Sequence, residues 1–173
     1  TAGGTLDGVT VNGDLDLSQV NGVNVTIGNN LVLNGTMYIG HANGSTYGTV
    51  YFGSYSEASE TLSGAATIVF GGSSNNKLYN YSYGSGTAGT LTLAPTVTLR
   101  GKSGSLTNYF GSGTIINQGT IAADDSGGQT SFANDSNFSY GYTNATPTAI
   151  DTTGVIHAAP PAVYQTQRTF YDF

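Results

Sequence analysis

The chain has 173 residues, a formal net charge of −6, only four basic residues and no cysteine. Its length and 38% hydrophobic content suffice for one domain core. The charge balance excludes a nucleic-acid partner, because phosphate neutralisation needs many more cations than Lys77, Arg100, Lys102 and Arg168; the missing cysteine excludes disulfides and zinc–thiolate sites.

Charged residues make up only 8%, so solubility rests on Ser, Thr and Asn, and an extracellular or cell-surface location is expected. No apolar run approaches the roughly 20 residues of a membrane helix. The sequence opens on Thr-Ala-Gly-Gly without a signal-like segment, so any export signal is expected to lie outside it.

From Thr1 to about Asp125 apolar residues alternate with Thr, Asn, Asp, Ser and Tyr in short runs, which predicts strands and no helix. Val9-Thr-Val11-Asn-Gly-Asp-Leu15-Asp-Leu17 reads as strand, corner, strand, and the unit recurs as Leu31-Val-Leu33-Asn-Gly-Thr-Met37-Tyr-Ile39 and Leu91-Thr-Leu93-Ala-Pro-Thr-Val97-Thr-Leu99. The first two copies start at residues 9 and 31, a spacing of 22, and weaker copies at Val25 to Leu33, Ile68 to Phe70 and Ile115 to Ile121 keep roughly that spacing. Asn-Gly pairs, Gly-Asn-Asn at 28–30 and Ala-Pro at 94–95 mark the corners, where Gly and Asn accept left-handed backbone.

Asn-Gly is also a hairpin signal, so an antiparallel barrel or sandwich of hairpins competes with a parallel β-helix. Hairpins do not require their neighbours to copy them, whereas coils stacked in register do, and the repetition favours the β-helix. The expected fold is all-β: a right-handed parallel β-helix (solenoid) of about five or six coils over residues 1–125, with an extended C-terminal tail over 126–173. Tyrosine-rich insertions at Gly40 to Gly48, Gly53 to Ser59 and Gly72 to Gly89 are expected to bulge from one corner.

The segment Gly3-Gly-Thr-Leu-Asp-Gly-Val-Thr-Val-Asn-Gly-Asp-Leu-Asp-Leu17 resembles the repeats of large secreted bacterial β-helix proteins of the adhesin and autotransporter-passenger kind, as does Gly113-Thr-Ile-Ile-Asn-Gln-Gly-Thr-Ile121. That resemblance implies a secreted scaffold, a fold that carries adhesins, lyases and stalks alike. Beyond Asp124-Asp125-Ser126-Gly127-Gly128 the coil pattern stops. Phe132 to Gly141, Ala149 to Val155 and Val163-Tyr-Gln-Thr-Gln-Arg168 then resemble, in that order, the opening of a malectin-like carbohydrate-binding domain, with Gln167 where that family usually has an acidic residue. The resemblance implies a sugar contact, with Tyr164 and Arg168 as its candidates. Only the first third or less of such a β-sandwich is covered, and a partial sandwich leaves its inner face bare. The aromatic tail, with Val163, Tyr164, Phe170, Tyr171 and Phe173, is therefore expected to lie along its own solenoid or to add a strand to a neighbouring copy.

No catalytic residue is expected. His41 and His157 sit in loop-like contexts without a neighbouring carboxylate or cysteine. Asp14 and Asp16, with Asp7, have the residue type for calcium or acid–base work, or are plain solvated aspartates; Asp124-Asp125 reads as a turn. No metal or cofactor is expected, since further calcium ligands are not identified and Gly84-Ser-Gly86 lacks the lysine of a phosphate loop. Tyr38, Tyr47, Tyr51, Tyr55, Tyr79, Tyr81 and Tyr83 concentrate in the middle of the chain, as cover for coil edges or as a surface that stacks on sugars or proteins. Thr90-x-Thr92 and Thr96-x-Thr98 are similar to the flat threonine ladders of ice-binding solenoids, but a ladder must repeat on adjacent coils, and these do not repeat cleanly, so an ice-binding surface is not expected.

The expected function is that of a non-enzymatic extracellular structural or adhesive protein that self-associates, as a homo-oligomer, filament or surface layer, through its solenoid ends and tail. A carbohydrate-binding module with glycan partners is the alternative, and a polysaccharide lyase or hydrolase the third reading.

Overall fold

Alternating apolar and polar residues suit a strand with one buried face, and short strands joined by Gly and Asn corners bury that face most economically by winding around a common axis. The computed structural model describes residues 3–122 and, beyond them, the backbone of five further strands. Every regular element among the described residues is a strand.

The chain begins with β1 (Gly3–Val11) and β2 (Leu15–Leu17), followed by β3 (Val23–Leu33) and β4 (Gly35–Ile39). The next coil is β5 (Gly48–Phe52), β6 (Ser59–Ser63) and β7 (Ala66–Phe70). It continues with β8 (Lys77–Asn80), a small hairpin of β9 (Tyr83–Gly84) and β10 (Thr87–Ala88), then β11 (Thr90–Leu93) and β12 (Thr98–Gly101). After β13 (Ser103–Asn108), β14 (Thr114–Asn117) and β15 (Thr120–Ala122) come β16 (Gln129–Ala133), β17 (Phe138–Tyr140), β18 (Val155–Ile156), β19 (Val163–Tyr164) and β20 (Arg168–Tyr171).

These strands stack into three faces. Face A holds the first halves of β1 and β3, then β5, β8, β13 and β16; face B holds their second halves, then β6, β11, β14 and β17; face C holds β2, β4, β7, β12 and β15. Pairing within each of these series is parallel. The chain is therefore a β-solenoid, and its Asn-Gly pairs are solenoid corners instead of hairpin turns. β1 and β3 belong to two faces because they bend in mid-strand, β3 at Asn29 (φ 51°) and Asn30 (φ 69°).

Inward side chains form columns along the axis: Val9, Leu31, Leu62 and Leu93 on face B; Leu15, Met37, Ile68, Leu99 and Ile121 on face C; Val25, Val50, Leu78 and Leu106 on face A. Most are fully buried, each contributing about 1.5–3 kcal/mol of transfer free energy. The third sequence copy sits two residues out of step with the second. Leu93, not Leu91, lies over Leu62 and Leu31, and Leu91 lies over Glu60.

One column changes chemistry along its length, from Ile27 and Phe52 to Asn80 and Asn108. Asn80 Nδ2 donates to Asn108 Oδ1 at 2.9 Å and to the carbonyls of Gly89 and Thr114 at 2.9 and 3.0 Å. Asn108 Nδ2 in turn donates to Gly113 O at 2.7 Å. These amides satisfy carbonyls where the corner backbone turns away from its ladder.

The insertions leave from two corners, contrary to the single corner expected. Residues 40–47 and 71–76 join face C to face A, whereas residues 53–58 and 81–89 join face A to face B. The expected boundary at residue 125 lies outside the described residues. Beyond it β16 and β17 continue the parallel pairing on β13 and β14, and then the direction reverses: β18, β19 and β20 pair antiparallel with β15, β17 and β16.

Candidate functional site

Parallel in-register stacking places residues of adjacent coils about 4.8 Å apart, so like side chains on the outer surface meet. On face A this brings Tyr51 of β5 over Tyr79 of β8. Their rings stack with centroids 5.5 Å apart and planes within 14°. Tyr109, just past β13, sets its edge against both, at 6.3 and 5.5 Å.

The patch continues around the corner between faces A and B. Tyr55 comes from the insertion at 53–58, Tyr81 and Tyr83 from that at 81–89, and Phe110 from the turn before β14. Backbone bonds hold these loops on one another, Tyr81 N donating to Phe52 O at 2.6 Å and Tyr83 N to Ser54 O at 2.9 Å. The β9–β10 turn uses Ser85 (φ 53°) and Gly86 (φ 80°), and Tyr83 closes it by donating its hydroxyl to Gly86 O at 2.9 Å. Tyr55 packs edge-on against Tyr81, Tyr83 and Phe110, while Tyr81 meets Tyr109 at 4.6 Å. Six tyrosines and one phenylalanine thus form a continuous surface outside the core. Tyr55 is 64% exposed and Tyr109 51%.

The rings alter one another's acidity. A hydrogen bond with Tyr55, then burial and neighbouring phenols, pushes the Tyr81 hydroxyl up to about 12. Burial, with Tyr51 and Tyr109 beside it, also raises Tyr79. Both remain protonated at any ordinary pH, so neither adds charge to the patch.

The same corner is acidic further along the axis. Glu60 is 1% exposed and points inward, its carboxylate accepting from Asn30 N at 2.5 Å and Asn29 N at 3.2 Å. Glu57 accepts from Asn29 N at 2.9 Å and Asp7 from Asn29 Nδ2 at 2.6 Å. These carboxylates clamp the two left-handed asparagines at the bend of β3.

The sequence candidates fall in different places. Asp14 accepts from Thr36 N of the next coil at 2.7 Å, and Asp16 from the Ser18 amide and hydroxyl and the Gln19 side-chain amide, so the first carboxylate ties two coils and the second closes a local turn. The Ser18 bonds hold Asp16 below the usual carboxylate range. His41 closes a turn with Asn43, Nδ1 to Oδ1 at 2.9 Å. Among the described residues no three His, Asp or Glu side chains are grouped to hold a metal ion, and no helix is long and apolar enough to cross a membrane. His157 and Phe173 lie outside the described residues. Val163 and Tyr164 form β19, paired with Ser139 and Phe138; Arg168, Phe170 and Tyr171 belong to β20, opposite Phe132, Thr130 and Gln129. The sequence reading missed Tyr109 and Phe110 as members of the patch. Their signal was the aromatic pair immediately after a strand, at the corner that also carries Tyr55 and Tyr81.

Fold and site together define a β-solenoid with a half-exposed aromatic surface on one face and corner. Comparison with protein-family models, with curated proteins and with solved structures gives no match. The adhesin-like and malectin-like resemblances accordingly rest on the residues quoted for them.

Proposed function

We propose that the chain is a non-enzymatic structural or adhesive element of an extracellular protein, in which the solenoid is the scaffold and the aromatic patch the contact surface that joins it to copies of itself, as a filament or surface layer. The observation that carries this reading is the seven-ring surface itself. The core columns are complete without it, and large aromatic side chains half exposed in a continuous cluster mark interaction surfaces. The tail offers a second junction, because strands that pair antiparallel with their own coils pair equally well with those of a neighbour by exchange.

Sedimentation of the purified chain over a wide concentration range, beside a variant carrying Tyr55→Ser, Tyr81→Ser and Tyr109→Ser, tests the reading. The parent is expected to associate and the variant to sediment as a monomer. A parent that stays monomeric at high concentration overturns the proposal.

The exposed Tyr55 and Tyr109 rings favour a second reading, a carbohydrate-binding module, since a phenol offers a ring face for a sugar and a hydroxyl for its polar edge. A glycan array with the same variant and with Tyr164→Ala separates the patch from the malectin-like segment as the sugar contact.

A further inference from the structure

Face B carries a second ordered surface, distinct from the tyrosines and unconnected with the function proposed above. The register places Ser59 over Thr90 over Thr114, and Thr61 over Thr92 over Ile116, on the adjacent strands β6, β11 and β14. The threonine repeat that is invisible along the linear sequence is therefore present in space, because coils of unequal length bring Ser59-x-Thr61, Thr90-x-Thr92 and Thr114-x-Ile116 into line. Thr96 does not belong to it. That residue sits at the corner and donates its hydroxyl to Gly64 O, while Thr98 joins a separate column of Thr36, Thr67 and Thr120 on face C.

Three properties of the face B array select its ligand. The side chains are β-branched at five of six positions, Ser59 being the exception, which fixes the threonine hydroxyls and the methyls relative to the sheet. Of the residues in these three strands only Glu60 can ionise in the ordinary pH range, and it is buried and points inward, so the outer surface has no charge. The spacing is set by backbone geometry, about 6.7 Å between outward residues of one strand and about 4.8 Å between coils. Water oxygens linked tetrahedrally by hydrogen bonds of about 2.75 Å have second neighbours about 4.5 Å apart and a hexagonal-axis repeat of about 7.3 Å. Over two coil intervals the mismatch grows only to about 0.6 Å, comparable to the spread of ordinary O–H···O lengths. Face C lacks this uniformity, since its neighbouring column is Asp16, Tyr38, Val69 and Arg100, which mixes charge and bulk.

We propose that the outer surface of β6, β11 and β14 binds ice. The hydroxyls hold a first layer of water at near-lattice spacing, the methyls of Thr and Ile116 seat in the gaps of that layer, and the ordered water joins the growing crystal. No covalent step is involved. A charged partner would need directional charge, and none faces outward on these strands; the only large aliphatic side chain among the six positions is Ile116, at the edge of the array.

Ice-crystal shape and the gap between freezing and melting points, measured on single crystals in solutions of the whole chain, test the proposal. Faceted crystals and a measurable gap are expected. Thr92→Lys, at the middle of the array, and Thr61→Tyr should each reduce the gap several-fold, while Thr5→Lys on face A and the triple tyrosine variant should leave it unchanged. Circular dichroism verifies that each variant keeps its β-sheet signal, and the second array variant stands in should one fail to fold. Unfaceted growth with the parent chain overturns the proposal. So does a gap that survives both array substitutions, or one that the tyrosine variant or Thr5→Lys abolishes.

Discussion

Tyr51 and Tyr79 are register partners on adjacent parallel strands, and their rings stack 5.5 Å apart with planes within 14°. That one pair shows how the solenoid generates surface chemistry. A residue on the outer face of one coil acquires the residue above it as a neighbour, whatever the sequence between them. The patch around Tyr55, Tyr81, Tyr83, Tyr109 and Phe110 grows outward from this pair.

Alkaline titration should find one tyrosine far out of line. The Tyr55 hydrogen bond and burial raise Tyr81 from 10.0 to about 12. A phenol with a raised folded value contributes stability that is present below the unfolded value and lost as pH rises through the folded one. Ultraviolet titration of tyrosinate is expected to show a late-ionising group near pH 12 that moves downward in Tyr55→Phe. An unchanged late group in that variant would contradict the assigned hydrogen bond.

Glu60 should make the fold less stable on the neutral side of its titration than on the acid side. Burial raises its carboxyl above the ordinary 4.5, with Glu57 and Asp7 adding and the Asn30 and Asn29 amides opposing. The folded chain then holds a proton that the unfolded chain has released, so this group's contribution is full below 4.5 and lost as pH rises through the folded value. Urea denaturation at a series of pH values is expected to show a decline from pH 4.5 upward that is weaker in Glu60→Gln, which has no carboxylate to ionise.

Replacing Asn80 by Ala should cost about 3 kcal/mol. The change strips a donor from Asn108 Oδ1 and from the Thr114 carbonyl, while the Gly89 carbonyl keeps its bond from Thr114 N, and each buried group left unpaired costs about 1–3 kcal/mol. Denaturant midpoints measure it, and a shift no larger than that of an exposed control such as Thr5→Ala would show that the ladder is not structural.

Gly104 should not tolerate a methyl group. A Cβ there would lie 2.5 Å from the Phe70 ring, and Gly101 before it has φ 117° with its own Cβ position 2.2 Å from Phe70 O. Gly104→Ala is expected to destabilise by about 1–3 kcal/mol through overpacking, and Phe70→Leu in the same chain to recover part of that loss. Thermal melts of the single and double variants decide it.

How much of this was legible beforehand differs between fold and site. The period-two alternation and the repeated strand–corner–strand unit pointed to a solenoid, because a copied unit needs a copied neighbour. Which residue lies over which was not legible. Inserted corners of different length slide the register, so that Leu93 takes the place that the repeat assigns to Leu91, and Ser59 lines up with Thr90. Tyrosine enrichment in the middle coils was visible, yet Tyr109 and Phe110 joined the patch only through the corner they share with Tyr55.

The sequence by itself determined that this chain is all-β, wound from short half-buried strands and held without disulfides, since alternation, corner residues and composition are local properties that each segment carries alone. Only the tertiary structure decided the outer surfaces. Contacts between Tyr51 and Tyr79, or between Thr92 and its neighbours Thr61 and Ile116, are set by the length of backbone in each coil, and that register is fixed by the packing of the interior columns.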